Sequence, residues 1–562
     1  MWVILVQQDD RAKRRESLEG EQKMELKVYT RQPDEAAYPP GLAYSVHMAV
    51  RSEGEAFRSW NKNYGILFAR AQIRENDTLL TKAVKSPRIF VMKDQSFGIA
   101  ALSVYENGEE DIESSGKVFL WRTTDFITFE EIGLTDSKES GWEEAGDCLK
   151  IDEEILTRAA EYWMPVFNTG VTVPERVEIH SEEELNQIRA EALYSDGSAV
   201  LKKVVWDKKN IDFAAEGIYE TEGTVRDGHF SFPVAVGYGD PVIFPWEGKW
   251  YYISTNDNTD DIGLYVREAD CVSGLFRENV REHLILAQDG KRELMQTFWA
   301  PEFHVIGGEL YLLFAVSGHV WGPQCHMMKL RKGKPLIEAQ SWEDPVRVVR
   351  SDGSMLTEDG ITLDMTYIRT DRSAYVVWSY RKNIGTALDT GSMLYIATID
   401  EKEPWKLTSE PVLLSRPLLG WENVAGTINN EGPYAFIREG KVYLTYSGGS
   451  ANSYTYAVGL LTARTEDDLL QVGSWTKRCA PVLSFYSVEG EYGPGHNSFY
   501  VSDEGELMIA YHGETALDQT IRCDGIRRVH FRKNGFPEFG MSAEEDLNPA
   551  LRKVKTCVVV KK

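Results

Sequence analysis

Five segments of the 562-residue chain repeat one pattern, a turn carrying Gly or Asp followed by an aromatic-rich strand. They read GKWYYIST (248–255), GGELYLLFAVSG (307–318), DRSAYVVWS (371–379), GKVYLTYSGG (440–449) and GELMIAYHG (505–513). Aligned on Tyr251, Tyr311, Tyr375, Tyr443 and Met508, the steps are 60, 64, 68 and 65 residues. A unit of that length has room for four short strands, and a lone four-stranded sheet cannot bury its apolar faces. Five such units stacked in a ring can, so the spacing predicts a five-bladed β-propeller over residues 227–545.

The remainder is also β-patterned, and the fold class expected is all-β. Short alternating runs of Val, Tyr, Phe, Ile and Trp are broken by Gly, Asp and Asn throughout. Residues 171–226 hold strands with a Trp and a Gly-Tyr turn, which predicts a small immunoglobulin-like β-sandwich. Residues 24–170 are β-rich and partly propeller-like; SPRIFVMKDQSFGIAALSV and GKVFLWRTTDFITFEEIGL read as blade hairpins, too few for a second ring. Residues 1–23 read as a disordered N-terminal segment and residues 546–562 as a C-terminal tail. One helix is expected at 181–193, with Ser181 as its N-cap.

Charge narrows the partners. The chain carries 62 Lys and Arg against 87 Asp and Glu, a net charge of −25. Such a surface repels phosphate backbones and anionic lipid, so nucleic acid and membranes are excluded as expected partners. The six cysteines are widely spaced with no CxxC pair, which argues against a zinc ribbon or a disulfide framework. The opening MWVILVQQDDRAKRR has a short apolar run followed, not preceded, by basic residues, and the expected location is cytoplasmic.

The strand before each aromatic anchor carries an ionisable residue. Asp240, Glu302, Asp364, Glu431 and His496 stand 11, 9, 11, 12 and 12 residues ahead of their anchors. Taken singly, each is an ordinary turn residue. Taken together they are expected to line the central channel, because the innermost strand of every blade faces it. Converging carboxylates raise one another's pKa. Glycoside hydrolysis uses that effect: one carboxylic acid protonates the leaving oxygen while an ionised partner activates water.

The motifs GDPVIF with GKWYYISTND, FWAPEFH, GITLDMTY, EGPYAF and GPGHNSF follow one another in the order seen in glycoside hydrolase family 43, and residues 228–545 resemble that family. The resemblance implies a five-bladed propeller enzyme that inverts anomeric configuration. It implies Asp240 as general base, Asp364 as the carboxylate that raises the acid's pKa, and Glu431 as general acid. It further implies Trp299 and Glu302 as substrate-binding residues, with Arg528 reaching a sugar hydroxyl and Arg527 competing for that role. His496 resembles a channel histidine that in some members contacts a calcium ion or its waters; no cofactor is required, and a structural calcium ion is admitted there, bound directly or through water.

The implied activity is removal of terminal α-L-arabinofuranosyl residues from neutral arabinose-containing glycans. β-D-xylosidase activity is the near alternative, and a non-catalytic carbohydrate-binding propeller is the alternative of a different class. Oligomeric state is not legible in the sequence.

Overall fold

The structure is a computed structural model and describes residues 23–34, 37–517 and 519–562. The expected disordered segment 1–23 lies outside them apart from Lys23, which begins a strand. The chain divides into two compact units, Met1–Gln72 with Leu80–Pro165, and Ile73–Leu79 with Val166–Lys562.

The N-terminal unit contains two four-stranded antiparallel sheets among the described residues. One is a meander of Ala83–Val91, Phe97–Val104, Lys117–Thr123 and Glu130–Asp136, the order of a propeller blade. The other sets Lys23–Tyr29 between His47–Arg51 and Cys148–Asp152. The unit also holds an unexpected helix, Glu153–Trp163, which buries Leu156, Ala159 and Trp163.

In the second unit the described residues form five four-stranded blades. The inner and second strands are Tyr238–Trp246 and Lys249–Asn256 in blade 1, then Gln296–Ile306 and Glu309–Ser317 in blade 2. Blade 3 has Gly360–Arg369 and Ala374–Lys382, blade 4 Asn430–Arg438 and Lys441–Gly448, and blade 5 Tyr492–Val501 and Leu507–Glu514. The five anchors, four tyrosines and Met508, all fall on second strands and are buried. Blade 5 is completed by Ala235–Val236, which precedes blade 1 in sequence and pairs with Cys523–Arg528. That two-residue strand closes the ring.

The immunoglobulin-like region is a six-stranded sheet curled over Val177, Ile179, Val204, Trp206, Val225, Val554 and Val558. Two expectations change here. The C-terminal tail is a strand, Lys553–Val560, paired antiparallel with Gly217–Val225 and parallel with Arg176–Ile179. Because Gly217–Val225 leads into the propeller and Lys553–Val560 leaves it, this ladder fastens the two ends of the ring. The helix at 181–193 is only Glu182–Gln187; Ser181 does cap it, accepting the Glu184 N–H, but Arg189–Tyr194 is a strand because Ala190, Ala192 and Tyr194 alternate into the core.

Candidate active site

Each inner strand is interrupted by a bulge at its channel end. Asp240, Ala300, Asp364, Gly432 and His496 sit at the bulges with φ of +58°, +47°, +55°, +56° and +39°. These five are the structural equivalents. For a residue with a Cβ this left-handed conformation is sparsely populated, costing about 1–3 kcal/mol, and it persists only where the surroundings enforce it. A bulge re-aims the side chain it carries; here it turns Asp240, Asp364 and His496 to the channel mouth. Gly432 is required as glycine, since a Cβ there would stand 2.8 Å from His496 Cγ.

The expectation of five ionisable groups in strict register is therefore corrected. Glu431 immediately precedes its bulge residue, and Glu302 follows its own by two positions. Glu431 still reaches the same cavity, because the residue ahead of the bulge also faces it: Trp299, Leu363 and Glu431 line the pocket beside Asp240, Asp364 and His496.

The cavity is about 640 Å³, within the ordinary range for a small-molecule site. Asp257, Asp260, Asp261 and Arg522 form one wall, with Trp299 held over it by a 2.8 Å hydrogen bond from Nε1 to Asp261. Arg381, Asn429 and Asn452 lie on the Glu431 side.

The carboxylates differ sharply in environment. Asp240 Oδ1 lies 3.1 Å from His496 Nδ1 and 3.2 Å from Arg522 Nη1, and Oδ2 accepts the Thr255 hydroxyl at 2.5 Å. Burial pushes its pKa up, but the His496 and Arg522 charges and these hydrogen bonds outweigh it and hold the group well below the usual carboxylate range. Asp364 accepts only the Ser379 hydroxyl at 2.9 Å and the Gly432 N–H at 3.1 Å; burial, opposed by His496 and reinforced by Asp240, raises it to about 6. Glu431 accepts the Tyr456 hydroxyl at 3.0 Å, and burial together with the Asp364 charge lifts it to about 7. His496 moves the other way from an ordinary buried histidine: burial lowers it, yet Asp240 and Asp364 raise it to about 9. At neutral pH the site thus holds an ionised Asp240 clasped by cations and a Glu431 that retains its proton for much of the time.

Residues 233–537 match the profile described as Glycosyl hydrolases family 43. The chain belongs to glycosyl hydrolases family 43. Residues 189–229 separately match a bacterial Ig-like domain of group 4. Over 331 residues this family 43 chain is 31% identical to an extracellular exo-α-(1→5)-L-arabinofuranosidase of Streptomyces avermitilis, covering 57% of this chain and 65% of that one. It is 28% identical over 321 residues to α-L-arabinofuranosidase B of Pyricularia oryzae, covering 55% and 63%. A third relative, an extracellular exo-α-(1→5)-L-arabinofuranosidase of Streptomyces chartreusis, is 28% identical over 342 residues, covering 60% and 95%. The match thus spans just under two thirds of the length of the first two relatives. Both Streptomyces proteins are named as extracellular, which overturns the expectation of a cytoplasmic protein. Among the described residues no helix is long and apolar enough to cross a membrane.

Three of the expected side-chain roles do not fit the geometry of this family 43 site. Arg528 is buried away from the pocket, bonded to Asp546 and 3.1 Å from the Tyr194 hydroxyl, and Arg527 is spent on Glu491 and Tyr511. The strand Cys523–Arg528 runs away from the cavity, so the arginine that reaches it is Arg522, just ahead of the strand. Glu302 is 2% exposed and hydrogen-bonds His304 at 2.7 Å; it does not line the pocket and braces the channel instead. His496 is not placed as a direct metal ligand either: its Nδ1 lies 3.1 Å from Asp240 Oδ1, and among the described residues no group of three His, Cys, Asp or Glu side chains is placed to hold a metal ion.

Arg522, Asp261, Arg381 and Tyr456 had no motif to announce them, whereas Asp257 closes the motif GKWYYISTND. The signal available for Arg522 was positional. A third strand starts at the end of the blade where the second strand stops, and that is the pocket end.

Proposed function

We propose that the chain is an inverting, exo-acting α-L-arabinofuranosidase that removes terminal arabinofuranosyl residues from neutral arabinose-containing glycans outside the cell. The observation that carries this reading is the unlike surroundings of the carboxylates in one cavity, Asp240 lying 3.1 Å from His496 and 3.2 Å from Arg522 while Glu431 accepts the Tyr456 hydroxyl at 3.0 Å, which favours an ionised Asp240 and a raised pKa at Glu431. Asp240 is the general base that takes a proton from the attacking water. Glu431 is the general acid that protonates the leaving oxygen, and Asp364 keeps that proton in place by its negative charge. Trp299 supplies an apolar wall for the sugar ring. The names of the relatives favour arabinofuranoside as the substrate, and a net charge of −25 carries no penalty toward a neutral glycan.

The test is a panel of aryl glycosides compared by kcat/KM. The reading expects α-L-arabinofuranoside to be preferred over β-D-xylopyranoside. Dominant xyloside hydrolysis would replace it with β-D-xylosidase, and sugar binding with no hydrolysis of either would replace it with a non-catalytic propeller.

A further inference from the structure

A second set of residues, one per blade, stands behind the bulges. In the strand ladders Gly239 pairs with Thr255, Trp299 with Ala315, Leu363 with Ser379, Glu431 with Ser447 and Gly495 with His512. Each of these second-strand residues lies four positions after its blade's anchor, so the five are equivalent in both sequence and register. Four of the five are polar, and all four are at most 1% exposed. Repetition of a buried polar residue at one register position needs a reason, because an unpaired buried hydroxyl or imidazole is costly.

The reason lies in what they bond. The hydroxyl of Thr255 donates to Asp240 at 2.5 Å, and its oxygen accepts the N–H of Ala300 in blade 2 at 2.9 Å. The hydroxyl of Ser379 donates to Asp364 at 2.9 Å, and the same carboxylate oxygen accepts the N–H of Gly432 in blade 4 at 3.1 Å. Ser447 accepts the N–H of His496 in blade 5 at 2.7 Å. His512 Nδ1 accepts the N–H of Asp240 in blade 1 at 3.1 Å. Thr255, Ser447 and His512 each accept the backbone N–H of the next blade's left-handed residue, and Ser379 reaches the next one, Gly432, through the Asp364 carboxylate. Only blade 2, with Ala315, lacks a polar member. Burial lowers the pKa of His512 and favours the neutral ring, whose Nδ1 also lies 3.2 Å from Asp240 Oδ1.

We propose that Thr255, Ser379, Ser447 and His512 form an interblade hydrogen-bond network that enforces the left-handed bulges at Ala300, His496 and Asp240 and holds the carboxylates of Asp240 and Asp364, positioning Asp240, Asp364 and His496 for catalysis. They are positioning residues: the substrate touches the carboxylates, and the network holds the carboxylates. The inference rests on the carboxylate roles proposed above. It also explains how three non-glycine residues keep a backbone conformation that their own side chains disfavour.

The experiment compares Thr255→Val, which keeps the shape and removes the hydroxyl, with Thr255→Ser, which restores it. Ser447→Ala, whose hydroxyl bonds the His496 backbone and no carboxylate, is the second variant. Each is assayed for kcat, KM and the pH dependence of kcat/KM on an aryl α-L-arabinofuranoside, with Tm measured alongside. Displacing a catalytic group by a fraction of an ångström costs on the order of tenfold or more. Thr255→Val is expected to lose at least about tenfold in kcat with KM within about twofold, and its acidic limb is expected to rise because Asp240 has lost a donor. Thr255→Ser is expected to recover most of the loss, and Ser447→Ala to lower kcat without moving the acidic limb. Should Thr255→Val fail to fold, Ser447→Ala and Ser379→Ala are read for kcat in the same way. Folded variants that lose Tm but keep wild-type kcat would overturn the network as a positioning device. Asp240→Asn separates the two readings. If it stays active, the base assignment itself is wrong; if it is inactive while Thr255→Val is unimpaired, only the network is wrong.

Discussion

Asp364 Oδ2 accepts the backbone N–H of Gly432 at 3.1 Å, so the carboxylate of blade 3 is tied to the residue that follows Glu431 in blade 4. One bond therefore fixes the distance over which the Asp364 charge acts on Glu431. Glu431 rises to about 7 through burial and then through that charge. Asp364→Asn removes the charge and leaves the burial. The basic limb of kcat/KM is expected to shift to lower pH than in the wild type, while staying above the ordinary glutamate range. An unchanged or higher midpoint would show that Asp364 does not set the acid's pKa.

Arg522 does the opposite for Asp240. Its guanidinium lies 3.2 Å from Asp240 Oδ1 and is itself held by Asp257. In Arg522→Met, Asp240 keeps its burial and loses one of two cations, so its pKa climbs toward the ordinary carboxylate range. The acidic limb is expected to appear at higher pH than in the wild type. A profile identical to wild type would mean that His496 alone holds Asp240 ionised.

His496 makes stability fall at alkaline pH. Its folded pKa, raised from 6.5 to about 9, means that its ion pair with Asp240 is fully present below pH 6.5 and is lost as pH rises through about 9. Tm is expected to decline across that window, and His496→Gln is expected to flatten the decline. A wild-type Tm that is level from pH 6.5 to 9 would contradict the charged state of His496.

Asp546 joins the immunoglobulin-like sheet to blade 5. It receives Lys202 Nζ at 2.7 Å and Arg528 Nε at 3.1 Å, and all three side chains are almost fully buried. Asp546→Ala leaves two desolvated cations without their partner, which costs about 3–5 kcal/mol. A clear drop in denaturation midpoint is expected, with kcat of the folded fraction unchanged, because the cluster does not line the pocket. Loss of kcat without loss of stability would place Arg528 back in the substrate site.

The propeller was legible because blade length is conserved within the chain: the anchors Tyr251, Tyr311, Tyr375, Tyr443 and Met508 must all reach the interblade core, so insertions are excluded between them and the inner strand. The bulges were not legible, since Asp240, Ala300, Asp364, Gly432 and His496 share a φ sign and no residue type. That is why Glu302 was aligned with Asp240 although Ala300 is its true counterpart. Lys553–Val560 alternates in burial as far as Cys557 and then buries Val558, Val559 and Val560 in succession. It reads as a tail because its ladder partner, Gly217–Val225, lies on the far side of the whole propeller in sequence. The family resemblance points to Arg528 with Arg527 as competitor, yet both are buried in ion pairs away from the cavity, and Arg522, just ahead of the same strand, lines it together with Arg381.

The central claim is that Glu431 is the proton donor whose titration ends activity above about pH 7. The pH dependence of kcat/KM for the wild type and Glu431→Gln, measured on an aryl arabinofuranoside whose leaving group still draws on the acid's proton, tests it directly. The account expects the basic limb of the wild type to disappear in the variant while residual activity persists. A basic limb that survives at the same pH in Glu431→Gln would show that another group supplies the proton.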